Sequence, residues 1–126
     1  LIFGLLDTFK EIEKEKEFKI WGSGKPLREF LFVDDLAEAI NFLLDLEIDY
    51  DILNVGSGKE ISIYDLAVKI KQVIGYDGQL VFDSSMPDGN PRKLIDSSKM
   101  NELGWEAKTD LDEGLKITYD WFLDNK

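Results

Sequence analysis

The chain has 126 residues, 44% of them hydrophobic and 12% aromatic, which is enough apolar material for one globular core and too much for a disordered segment. Fifteen basic residues against 26 acidic ones give a formal charge of −11, which argues against wrapping nucleic acid or docking on an anionic membrane, since both need a basic field. The chain has neither cysteine nor histidine, which excludes disulfides, thiolate catalysis and cysteine metal sites and removes the commonest metal ligand and general base; a reducing compartment fits this composition.

Residues 1–6 are apolar, but the run is short, has no basic residue before it and meets Asp7 and Lys10, so it reads as neither signal peptide nor membrane span. Ile2, Leu5, Leu6, Phe9 and Ile12 recur at helical spacing, and the mixed-charge run 11–17 reads as the solvated end of that helix. A chain that begins at Leu inside such a helix suggests a piece cut from something longer. Phe18 and Ile20 alternate in a short strand that stops at Trp21-Gly22-Ser23-Gly24-Lys25-Pro26, a stretch suited to a turn, and 28–33 is a second extended piece. Asp35 with Glu38 three positions later resembles a capping box. It opens a helix whose Leu36, Ala39, Ile40, Leu43 and Leu44 form one apolar face.

Residues 52–55 predict a strand ending in Gly56-Ser57-Gly58, after which Ser62 and Asp65 open a helix with Leu66, Ile70 and Val73 inward and Gly75 at its end. A strand over 80–82 precedes a loop over 83–94 rich in Ser, Pro, Asp, Gly and Asn, and a short helix over 97–103 ends at Gly104. Thr109 is expected to cap the last helix, with Asp112 in the capping position, and Trp105 and Trp121 are expected in the core. Strands alternating with helices make the chain α/β, with no repeat or linker, so residues 1–126 read as a single domain.

Gly56-Ser57-Gly58 invites a dinucleotide-binding reading, but the fingerprint needs a third glycine where this chain has Ile61. After Gly22 and Gly24 the same position is Leu27, and the pair Gly75 and Gly78 is closed wrongly by Val81. Turn glycines explain all of them. A tyrosine acid/base assisted by a lysine one helical turn later is also missing, since the residues four after Tyr50, Tyr64, Tyr76 and Tyr119 are Asn54, Val68, Leu80 and Leu123. The adjacent acids Asp34 and Asp35 sit where helix starts collect capping and dipole partners.

The stretch Pro87-Asp88-Gly89-Asn90-Pro91-Arg92-Lys93 stiffens a backbone that presents two adjacent cations. A planar bidentate donor beside a point charge suits a diphosphate, and ordinary solvated cations on a rigid surface loop fit the composition equally well. Trp21 and Arg28 flank the other glycine-proline turn, where an indole can pack on a base or sugar and a guanidinium can pair with phosphate; a tryptophan ending an apolar strand is also a common core residue.

Three blocks change this reading when taken together: residues 21–30 continuing through Val33-Asp34-Asp35, then Asn54-Val55-Gly56-Ser57-Gly58, then residues 87–94. In this order and spacing the chain resembles the carboxyl-terminal, substrate-binding part of the GDP-L-fucose synthases. The first two blocks are shared across the extended short-chain dehydrogenases that epimerise or dehydrate nucleotide sugars. The third, with Leu103-Gly104-Trp105 and Tyr119-Asp120-Trp121-Phe122 downstream, is particular to the fucose synthase branch.

The resemblance implies an α/β substrate-binding part with the Rossmann cofactor core largely missing. The longer protein would be a cytoplasmic, homodimeric, NADP(H)-dependent enzyme that epimerises GDP-4-keto-6-deoxy-D-mannose at C3 and C5 and reduces it at C4. It also implies that Trp21, Arg28, Asp88 and Lys93 contact the GDP-sugar. The NADP loop and the proton-transfer residues of that family would lie before Leu1, so this piece is expected to bind no cofactor, to be inactive alone, and to self-associate through surfaces left uncovered. Two alternatives stay open: the substrate domain of another nucleotide-sugar epimerase or dehydratase, and a non-catalytic binding module.

Overall fold

The structure, a computed structural model, describes residues 16–47 and 49–125; the helix expected over 2–12 lies outside the described residues. In chain order the elements are β1 (Glu17–Trp21), β2 (Leu27–Glu29), α1 (Val33–Leu44), β3 (Glu60–Ser62), α2 (Ile63–Ile74), β4 (Gln79–Asp83), β5 (Arg92–Lys93), α3 (Ser98–Glu102) and α4 (Leu111–Asp124). β1 alternates exposed and half-buried residues and pairs in parallel with β4, from Glu17 opposite Gln79 to Trp21 opposite Asp83. β2 is the centre of a second small sheet, antiparallel to β3 and parallel to β5. Such parallel pairs need long crossovers, and the chain between them supplies the helices.

α2 forms where its end signals place it. The Ser62 hydroxyl accepts from the Asp65 amide at 3.0 Å and donates to the Asp65 carboxylate, and at the other end Gly75 takes the left-handed conformation (φ 67°). The amides of Gly75 and Tyr76 then close onto Gln72 and Lys71, which satisfies two of the last carbonyls. Leu66 and Ile70 of α2 pack against Leu115 and Phe122 of α4, with Phe18, Phe30 and Ile61 from the strands around them. Each such side chain stabilises the fold by about 1.5–3 kcal/mol when fully buried. A second cluster gathers Ala39, Met100 and Trp105, with Leu31, Leu43, Leu53 and Val55 against it. Trp105 is buried as expected.

Several expectations are corrected. No strand forms over 52–55: among the described residues the segment has no partner strand, Ile52 is 79% exposed, and Asn54 is held instead by its side-chain amide donating to the Asp96 carbonyl at 3.2 Å. Beyond the Gly56–Gly58 turn the chain enters β3 before α2, and β5 interrupts the expected loop, each because β2 offers an edge to pair with. Of the apolar face read on α1, Ala39 is buried and Leu43 half-buried, while Leu36, Ile40 and Leu44 form an exposed apolar stripe with Val33. Trp121 is 55% exposed, on the side of α4 away from α2.

The capping expectations for α1 and α4 also change, for one shared reason. Asp35 is only 4% exposed and does not cap its own helix: its two oxygens accept from the Thr109 amide at 3.0 Å and the Thr109 hydroxyl at 3.1 Å. With Thr109 so engaged, Asp110 becomes the cap of α4, accepting from the Glu113 amide at 2.9 Å. Glu38 and Asp112 turn outward to Lys108 and Lys69. The Asp35 carboxylate thus joins the starts of two helices 74 residues apart. Replacing Asp35 with alanine strands both Thr109 donors, and the expected loss is about 1–3 kcal/mol in urea unfolding; an unchanged midpoint would show that the clasp adds nothing.

Candidate functional site

Two stretches of chain run side by side in the same direction and carry all four residues singled out in the sequence. The first is β1, the turn 22–26 and β2; the second is β4, the loop 84–91 and β5. Between the paired strands the Gly22 amide donates to the Asp83 carbonyl and the Leu27 amide to the Pro91 carbonyl, both at 2.9 Å. The Ser23 amide and hydroxyl both donate to the Asp88 carboxylate, the hydroxyl at 2.8 Å. The two sheets are therefore bridged across their loops.

Trp21 ends β1 with its indole 71% exposed. Gly22 follows with φ at 89°, and a Cβ placed there would stand 2.5 Å from Asp88 Oδ1, so both its backbone and its neighbour require glycine. A Cβ at Gly24 would likewise stand 2.7 Å from the ring of Phe82, which stacks on Tyr64 with centroids 5.1 Å apart. The turn that presents Trp21 is thus seated on an aromatic pair and tied by Asp88. Those hydrogen bonds from Ser23, the backbone amide first, hold the Asp88 carboxyl below the usual carboxylate range, with Lys25 adding to the effect.

Arg28 and Lys93 are directly opposite in the parallel β2–β5 register, which sets both side chains on one face with backbones about 5 Å apart. Arg28 Nη1 donates to the Leu27 carbonyl, and among the described residues neither cation is in an ion pair. Together with Glu29, Phe30, Leu94 and Ile95 they line an open groove. The pair of adjacent cations expected at Arg92 and Lys93 does not form a common anion site. Arg92 reaches the other way and is gripped by Glu60 through three hydrogen bonds of 2.6–2.9 Å, which lower the Glu60 carboxyl. Successive residues of a strand face opposite sides, so Lys93 finds its partner on the neighbouring strand, not next to it in sequence.

Two residues with structural roles here carried little signal in the sequence. Ser23 looked like a turn residue, and Glu29 drew notice only as part of the block around Arg28. Glu29 accepts from the Gly58 amide at 2.7 Å and the Ile95 amide at 3.1 Å. That bond also decides the role of the Gly56–Gly58 turn. It leads into β3, not into a helix N-terminus, and a carboxylate already holds the Gly58 amide, so the turn does not fit a dinucleotide pyrophosphate.

Residues 2–56 match the model of the NAD dependent epimerase/dehydratase family. Over 86% of its length the chain is 55% identical to a probable GDP-L-fucose synthase 1 of rice, Oryza sativa subsp. japonica, and over all of it 41% identical to the GDP-L-fucose synthase of Escherichia coli K12. The chain belongs to the NAD dependent epimerase/dehydratase family. It spans 33% of the rice protein and 43% of the bacterial one. Among solved structures of the family's fold, a GDP-L-fucose synthetase from Naegleria fowleri bound to NADP superposes with a TM-score of 0.88 at 29% identity, covering 98% of this chain and 40% of that one. The α/β fold expected from the sequence, as part of a larger short-chain dehydrogenase architecture, is the fold observed.

The Asp88 clasp has a pH signature. Its hydrogen bonds hold the ionised form, so its contribution is complete above the ordinary aspartate value of about 3.9 and is lost as pH falls through the lower folded-state value. The Ser23 amide resonance is expected to stay constant down to about that pH and to move only below it. Asp88→Asn should remove the step; a Ser23 shift that titrates at the ordinary value would mean the clasp is not formed in solution.

Proposed function

We propose that this chain is the nucleotide-sugar-binding part of a GDP-L-fucose synthase. The observation that carries this reading is the Arg28–Lys93 pair, two cations without carboxylate partners among the described residues, on one face of the β2–β5 ladder in a chain of net charge −11. On so acidic a surface, two unneutralised neighbours are a local site for an anion, and the planar guanidinium with a mobile ammonium suits a diphosphate. Trp21 offers the exposed apolar face on which a base or ribose packs. Asp88 holds the Trp21 turn and keeps lone pairs for hydroxyl or amide donors of the ligand, since a carboxylate accepts at about four sites. Support for guanosine diphosphate as the nucleotide comes from the GDP-L-fucose synthases among the relatives.

The reaction assigned to the longer protein is the 3,5-epimerisation and 4-reduction of GDP-4-keto-6-deoxy-D-mannose, with NADPH supplying the hydride. The residues described here offer no fit for that cofactor, so in this reading the chain contributes substrate binding and orientation, and turnover requires the residues that hold NADPH. Calorimetric titration of the chain with GDP and with UDP tests the assignment. GDP should bind more tightly than UDP, and Lys93→Ala should weaken GDP about tenfold or more, as loss of a charge-assisted contact to phosphate does. Arg92→Ala, whose guanidinium already serves Glu60, should weaken it less. Tighter binding of UDP, or no binding of either nucleotide, sinks the reading.

A further inference from the structure

The distance between the two cations is set by a two-residue strand, and two residues of ladder are little to hold a loop on. The chain before Lys93 is fixed by the Leu27 amide on the Pro91 carbonyl. Beyond Lys93 the polar tie is the Ile95 amide, which donates 3.1 Å to Oε2 of Glu29, the residue next to Arg28. The other oxygen, Oε1, accepts from the Gly58 amide at 2.7 Å. One carboxylate therefore receives two backbone donors from loops 29 and 66 residues away, one through each oxygen. The fit around it is tight: a Cβ at Gly56 would lie 2.6 Å from Glu29 Oε1 and 2.9 Å from the buried Ser97 hydroxyl. Neighbours in a strand face opposite ways, so Glu29 leaves β2 on the side opposite Arg28, and it borders the same groove with its oxygens turned to the two loop amides.

We infer that Glu29 is a positioning residue for anion binding: by anchoring Ile95 and Gly58 it holds Lys93 beside Arg28. This rests on reading Arg28 and Lys93 as the diphosphate pair. An amide cannot replace the carboxylate, because glutamine has one acceptor oxygen for two donors and turns its NH₂ toward the other amide. Glu29→Gln keeps the shape, so the fold is expected to survive while one tie is lost.

The test uses the full chain and reads three quantities in the unsubstituted protein and in Glu29→Gln: affinity for GDP, affinity for guanosine, and exchange of the Ile95 and Gly58 amide hydrogens without ligand. A positioning role predicts that GDP affinity falls about tenfold while guanosine affinity holds, and that at least one of the two amides exchanges about tenfold faster, the size expected for loss of a charged hydrogen bond. GDP and guanosine affinities falling together would mark Glu29 as a general support of the fold and overturn the inference, as would an unchanged GDP affinity. Absence of GDP binding in the unsubstituted chain would sink the diphosphate reading itself. The exchange data then decide the clasp alone: unchanged protection at both amides overturns it, and faster exchange sustains it.

Discussion

The parallel alignment of two chain stretches, residues 17–29 and 79–95, is the constraint on which the rest depends. Among the described residues neither sheet is large enough to stand by itself, with two strands in one and three short strands in the other. They are joined because both parallel pairs are made by the same two stretches, so the turn 22–26 and the loop 84–91 must also run together. That forces a largely buried turn and an exposed loop into contact, where backbone amides need acceptors. Asp88 meets the need for Ser23, and the Pro91 carbonyl meets it for Leu27. Trp21, Arg28, Asp88 and Lys93 all lie along these stretches, Arg28 opposite Lys93 in the ladder and Asp88 tied to the turn that follows Trp21.

The legible parts of the fold were those whose signal is local. α2 could be read from Ser62, Asp65 and Gly75 because a helix satisfies its ends with residues adjacent in sequence, and the periodicity of Leu66 and Ile70 named its inner face. β1 and β4 were visible as apolar runs, although their pairing with each other was not. What could not be read were features decided by distant partners. Asp35 and Glu38 have the spacing of a capping box, yet the carboxylate goes to Thr109, 74 residues away, because burial between two helix starts offers it two donors at once. The apolar stripe of α1 has helical spacing whether or not anything covers it, so spacing alone named the face, and Leu36 and Ile40 on it face solvent here.

The site was legible in a similar, divided way. Spacing showed two stiff loops bearing cations and a tryptophan, and the resemblance joined them. Register was the missing piece: only the pairing of Arg28 with Lys93 reveals which basic side chains share a face, and it separates Lys93 from its sequence neighbour Arg92. A composition-based view that counts Arg92 and Lys93 as one cationic patch overstates the charge a ligand would meet. Glu60 pairs with the first, and the second shares its face with Arg28.

The excess of acid in this chain also has a structural use that net charge conceals. Asp35, Glu29 and Asp88 each accept a backbone amide from a segment at least 29 residues away, and each does so with both oxygens engaged. Ionised carboxylates are suited to this because they are acceptors only, with two oxygens that can serve separate donors, and charge-assisted bonds are roughly twice as strong as neutral ones. A serine or asparagine in the same places would bring donors of its own that need partners. The consequence for the candidate site is a division of labour by face and by charge. Carboxylates directed at loop amides fix the backbone, and among the described residues none of these three forms an ion pair with Arg28 or Lys93. An acidic protein can in this way keep acids beside a pair of cations without ion-pairing them: their oxygens are turned to the chain's own amides.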